Sequence, residues 1–280
     1  MNTFNSVERR SRLSAVEIVA EVYRRQPIFA NVAALMLALM VVSFAGLLVD
    51  TRTFNGINVW IKPLKFESSI AIYVVTLAWF WPYLDQSQRS SRAVRLAVWW
   101  ISAIFLLEMS YILFRAARAE GSHFNNSTVI AEVAYAVMGI GILSIVAFTA
   151  WLGWLFIRAN SSGTSPILRF AIGIGLIAGA VLGGLTGMHM SAQPGHWVGG
   201  VANDVNGLPL FGWSRTGGDL RVAHFVGLHA MQGIPVVGWL ASHALGEKAK
   251  PIVWVALVLW AAVTLSVFVQ ATAGRALFPL

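Results

Sequence analysis

Residues 28–50 read IFANVAALMLALMVVSFAGLLVD, an apolar run with no charged side chain before Asp50. At about 1.5 Å of rise per residue, such a run covers the roughly 30 Å hydrocarbon thickness of a bilayer. The rest of the chain has the same character: 57% of its 280 residues are hydrophobic and 11% are charged, and the mean hydropathy is +0.69. That balance lies outside the range of soluble domains and predicts an integral membrane protein.

Further runs of spanning length lie at 66–83, 94–115, 129–157, 167–190, 221–245 and 251–273. Together with the first they predict an all-α, seven-helix transmembrane bundle that occupies residues 28–280 as a single domain. The second run is the shortest. It follows TFNGINVWIKPLKFE, residues 53–67, whose Pro63 and aromatic side chains fit an interfacial or re-entrant piece, so a count of six or eight stays open.

Residues 1–27 carry Arg9, Arg10, Arg12, Arg24 and Arg25 and have no apolar core followed by a small-residue cleavage site, so a cleaved signal peptide is not expected. Ser14 to Glu17 has capping-box spacing, and Val16, Val19 and Val22 recur near the helical period, which predicts a basic amphipathic helix on the cytoplasmic membrane surface; a solvated basic tail is the alternative. Twelve Lys and Arg fall on the N-terminal side of the seven spans. Eight fall on the other, namely Arg52, Lys62, Lys65, Arg115, Arg118, Arg215, Arg221 and Arg275. The excess predicts a cytoplasmic N-terminus and an outside C-terminus. The net charge of +8 is spread over short loops, which excludes a nucleic-acid footprint. Zero cysteines exclude disulfides, thiolate metal sites and thioether-linked haem.

Polar residues within the spans gather toward the outer side. Glu67 begins the second span, Glu108 lies about 10 Å inside the third, Glu132 opens the fourth, His189 closes the fifth, and His224 and His229 open the sixth. With His123 and His196 in the outer loops, five of six histidines fall on this side and only His243 falls inside. Ionisable groups at membrane depth need a partner or a wet cavity, so one outer polar pocket is the simplest arrangement. Glu108, Tyr111 and Arg115 share one helix face, as a catalytic group or as an internally neutralised patch. His224 and His229 are about 140° apart on a regular helix and cannot chelate one ion; His229 shares a face with Gln232, and Pro235 should kink the helix just below.

The fifth span carries Gly175, Gly179, Gly183 and Gly187, a small-residue ridge for close packing. After it, GMHMSAQPGHWVGG, residues 187–200, offers Met188, His189, Met190 and His196 as copper-type ligands or as interfacial residues. The Gly-rich connection 191–220, with Asp204 and Asp219, predicts an ordered outer cap. INVWIKPLKF, SHFN and GDLRVAHFVGLHA together resemble uncharacterised bacterial multi-pass membrane proteins over residues 57–235; the resemblance implies a bacterial inner-membrane location and no activity.

Three functional classes follow. The first is a membrane oxidoreductase or electron carrier, working with quinone, in which haem b or a transition metal (Cu, Fe or Zn) is held by His229 and His189 with His123, His196 and His224 as further ligands. The second is a metal-dependent hydrolase or transferase acting on a lipid, with Glu108 as general base. The third is a cofactor-free cation or proton transporter lined by Glu67, Glu108 and Glu132, against which the clean inner half counts. Gln232 and Asp219 complete the expected pocket. The sequence contains no signal for oligomeric state.

Overall fold

The structure, a computed structural model, describes residues 14–160 and 164–280. Arg9, Arg10 and Arg12 of the basic segment lie outside the described residues. Its visible part is helix α1, Ala15–Arg25, capped as its sequence predicts: Ser14 and Glu17 exchange side-chain and main-chain hydrogen bonds. Val22 faces the bundle while Val16 and Val19 are exposed.

The described residues are helical apart from turns, loops and two short β ladders, and several helix starts coincide with capping side chains. Gln26 caps α2 (Pro27–Val49), with Pro27 at its first position, where a missing N–H costs nothing. Ser91 caps α5 (Arg92–Ala117), Thr128 caps α6 (Val129–Arg158) and Ser165 caps α7 (Pro166–Ser191). These four helices are long and apolar enough to cross a membrane, as is the run Ala230–Thr272, which contains α9 (Ala230–Leu245), a turn at Gly246–Ala249 and α10 (Lys250–Thr272). Their outer faces are apolar: Val41, Leu48, Ile130, Val258 and Leu265 are all well exposed, as lipid-facing side chains are.

The segment read as an interfacial or re-entrant piece is a hairpin followed by the start of a helix. Thr53–Phe54 (β1) and Ile57–Asn58 (β2) form a hairpin whose turn residues, Asn55 and Gly56, take φ of +52° and +81°, the left-handed values an Asn-Gly turn supplies. Helix α3 then begins at Ile61 and runs to Phe80. Pro63 falls in its first turn, where it removes no helical bond. After a short turn and the small helix α4 (Gln86–Ser90), α5 begins.

The sixth expected span is two helices, α8 (Leu220–Leu228) and α9, meeting at His229. The break lies at His229, and Pro235 falls inside α9. At this level the Trp260 indole of α10 donates to the Val226 carbonyl at 2.7 Å, taking the acceptor that the Ala230 N–H would use in a continuous helix. Pro235 instead packs on Gly175; a Cβ there would lie 2.6 Å from its Cδ. The same ridge continues upward, Gly179 against the Leu228 carbonyl and Gly183 and Gly187 against Leu228 and His224, so α7 lies backbone-close to α8 and α9.

At one end of the molecule the β1–β2 hairpin, the α5–α6 loop, the connection from α7 to α8 and the C-terminus meet. The Asp204 N–H donates to Asn55 (3.0 Å), Arg52 donates to the Ala117 carbonyl (3.0 Å), and the Leu280 N–H donates to Arg215 (3.3 Å). At the opposite end Arg25 reaches the Trp79 carbonyl and Asp85 accepts from Asn160.

Candidate functional site

Glu108 sits on the buried face of α5, 5% exposed. It does not pair with Arg115, which shares its helix face. Arg115 turns instead to Glu120 (2.8 Å) and the Gly121 carbonyl, and half-buried Tyr111 lies under its guanidinium. Two groups from other segments face Glu108. Lys62, in the first turn of α3, acts on it electrostatically, and His123 Nε2 in the α5–α6 loop lies 3.7 Å from its Oε1.

His123 is fixed on its other side as well. Nδ1 is 3.1 Å from the Ser122 hydroxyl, and the ring stands between Phe66 of α3 and Tyr135 of α6, with centroids at 5.3 and 5.6 Å. Burial, reinforced by the Lys62 charge, holds this imidazole well below its usual pKa and therefore neutral near pH 7. The tautomer that satisfies both contacts accepts from Ser122 at Nδ1 and presents Nε2–H to Glu108. Ser122 is 2% exposed. Hydroxyl, imidazole and carboxylate thus stand in sequence, with an ammonium at the carboxylate end.

Beside this row lies an ion-pair cluster that anchors the α7–α8 connection. Trp197–Val198 (β3) pairs with Gly218–Asp219 (β4). Arg221 on α8 donates to Asp219 (2.6 Å), Asp204 (2.8 Å) and the Gly212 carbonyl (2.6 Å), and His196 Nε2 lies 3.2 Å from Asp204. Burial lowers the His196 pKa, against the pull of its Asp204 partner. Burial alone would raise Asp204, but the His196 hydrogen bond and the Arg221 charge hold it below the usual carboxylate value. Lys65, one turn after Lys62, donates to the Phe211 carbonyl at 2.7 Å. Phe124, between Tyr135 and His196, joins the two groups.

Of the residues singled out by sequence, the structure brings Glu108 and His123 together, and places His196 and Asp219 in the neighbouring cluster. It does not bring the others to them. His189 packs edge-on against Phe268, His224 Nδ1 is bonded to the Gly183 carbonyl (2.8 Å), and His229 Nδ1 is bonded to Phe225 of its own helix (2.7 Å). Glu67 is fully buried against Ser43 (2.7 Å), Gln232 donates to Thr76 (3.2 Å), and Glu132 is exposed at the start of α6. Among the described residues no group of three or more His, Asp or Glu side chains could hold a metal ion, so the donor sets named for Cu, Fe or Zn do not fit. The histidines proposed to hold haem have separate local partners.

The sequence reading missed Lys62, Lys65 and Arg221 as site residues and counted them only as loop charges. Starting α3 five residues earlier would have put both lysines on a helix one turn apart. No family model, curated protein or solved structure matches the chain.

Proposed function

We propose that the chain is a seven-pass inner-membrane protein with a cytoplasmic N-terminus, whose outer end carries an acid–base site of the hydrolase or transferase class acting on a membrane-borne substrate. The observation that carries this is the row Ser122, His123 and Glu108, with spacings of 3.1 and 3.7 Å beside the half-buried Lys62. In these roles the Ser122 oxygen attacks an ester or phosphoester centre, its proton passes to His123 Nδ1, and His123 returns a proton to the leaving alcohol. Glu108 orients the ring and stabilises the imidazolium, and Lys62 adds positive charge at the carboxylate end. Water then repeats the sequence in reverse on the covalent intermediate.

Seven passes are supported by α3, whose 20 residues span about 30 Å, and by α8 with α9; each joins opposite ends of the molecule. The excess of Lys and Arg on the N-terminal side supports the orientation, making the α7–α8 connection an outer cap.

The test is lipid turnover. The purified protein in proteoliposomes of bacterial lipid extract should change at least one lipid species by mass spectrometry, and Glu108→Gln, His123→Asn or Ser122→Ala should lower the rate by about 10²- to 10⁴-fold. An unchanged lipid profile with the wild-type protein, or full turnover by Glu108→Gln, overturns the reading. The redox reading retains one favourable observation: His224 and His229 each tie Nδ1 to a main-chain carbonyl, as ligating histidines do. A Soret band in the purified protein that disappears with His229→Ala would restore it.

A further inference from the structure

Beside His123 an open groove of about 690 Å³ runs along the α5–α6 loop. Its walls change character along its length. At the membrane side stand Phe114 and Ile130, 56% and 82% exposed, on two helices of spanning length. Further along come Arg115 and Arg118, and the inner wall is His123, with Phe54 of the hairpin closing one flank. Both guanidinium groups lean on the single Glu120 carboxylate, at 2.8 and 3.0 Å, which leaves one positive charge in excess at the groove. The groove therefore offers apolar side chains from two helices of spanning length, surplus cation and the imidazole of the proposed relay.

We infer that this groove seats an anionic phospholipid, with an acyl chain against Phe114 and Ile130 and the phosphate at Arg115 and Arg118, so that the head group reaches His123. The charge complementarity selects an anionic head, because a zwitterionic one carries its own cation toward the arginines. The apolar lip selects a lipid over a free anion, since inorganic phosphate has nothing to place there. The volume suits a head group and the first part of a chain, within the roughly 300–1,000 Å³ of small-ligand sites. The inference rests on the Ser122–His123–Glu108 reading for its catalytic meaning, but lipid retention stands on Phe114, Ile130, Arg115 and Arg118.

The experiment uses the full-length protein in nanodiscs containing equal parts phosphatidylglycerol and phosphatidylcholine, followed by native mass spectrometry of retained lipid. The wild-type protein should retain phosphatidylglycerol preferentially, and 10 mM inorganic phosphate should not displace it. Arg118→Gln, whose side chain is 57% exposed and peripheral to the fold, should lower retention about fivefold, the weight of one surface cation on an anionic membrane, and Arg115→Gln with Arg118→Gln should lower it further. Arg158→Gln at the opposite end should change nothing. Equal retention of both lipids, phosphate displacement, or arginine variants that retain lipid like the wild type would overturn the site. Glu108→Gln, which does not line the groove, separates the two proposals: it should lower turnover while leaving retention within twofold. Arginine-dependent retention with unimpaired turnover by Glu108→Gln would sink the relay alone, and lost turnover with arginine-independent retention would sink the groove alone.

Discussion

Replacing Arg221 by Met keeps an unbranched stem and removes the charge that joins α8 to the α7–α8 connection. In the folded protein its guanidinium serves Asp204, Asp219 and the Gly212 carbonyl together. Both aspartates are buried. Breaking a buried ion pair by removing one partner costs about 3–5 kcal/mol. The lower end applies here, because Arg221 is itself 23% exposed, Asp204 keeps His196 and Asp219 keeps the Ser214 N–H. At about 3 kcal/mol, with roughly 1.4 kcal/mol per factor of ten, local opening becomes about a hundredfold more frequent. Hydrogen exchange reads this directly at Leu208, Gly212, Ser214 and Leu220, whose N–H groups are bonded within the connection. Arg221→Lys, which keeps the charge but loses the planar fork, should fall between. Adding Asp204→Asn to Arg221→Met should recover part of the loss, since one stranded charge is then gone. If these four amides exchange at the wild-type rate in Arg221→Met, the ion-pair cluster does not hold the connection in place.

Three further outcomes follow from separate parts of the structure. Gly179→Val should destabilise the protein by about 1–3 kcal/mol in detergent thermal unfolding, because its Cβ would meet main-chain atoms of Leu228 and Met231 at 2.9 and 3.2 Å; Gly139→Ala, with nothing within 4 Å, should not, and equal effects would contradict the close packing of α7 on α8 and α9. The α7–α8 connection should loosen as pH falls below about 6.5: folding depresses the His196 pKa, so the unfolded state takes the proton first and the stability present above that pH is lost on acidification. Faster exchange of the Leu220 amide at pH 5.5 than at pH 7.5, after correction for intrinsic rates, is the readout, and pH-independent protection would contradict it. Because the chain has no cysteine, a single Asn126→Cys should react with an impermeant maleimide on intact cells and Ser87→Cys only after permeabilisation; the reverse pattern would invert the proposed orientation.

Much of this architecture is legible in the sequence because spans announce themselves by length and by their caps. The run expected at 28–50 is helical at 27–49, and that at 129–157 is helical at 129–158. The start of α3 was hidden because Lys62, Lys65 and Glu67 dilute its hydropathy and Pro63 mimics a break, though in a first turn it breaks nothing. Asn55-Gly56 carried a hairpin signal that was passed over. The break at His229 coincides with the Trp260 indole bond to the Val226 carbonyl, made by a residue 34 positions along the chain, which no local pattern encodes. The histidines were grouped by depth, which sequence gives, whereas a shared site also needs azimuth, which packing sets. His224 turns toward the glycine ridge of α7 and His189 toward Phe268, while His123, carried on a loop, is the one that reaches Glu108.

The claim on which the functional reading turns is that Glu108 and His123 act as one unit. A double-mutant cycle on lipid turnover measures it: Glu108→Gln, His123→Asn and the two combined. Residues of one relay give losses that do not add, so the double variant should be about as impaired as either single one. Losses that multiply, or a double variant as active as the wild type, would show two residues that share a neighbourhood and no chemistry.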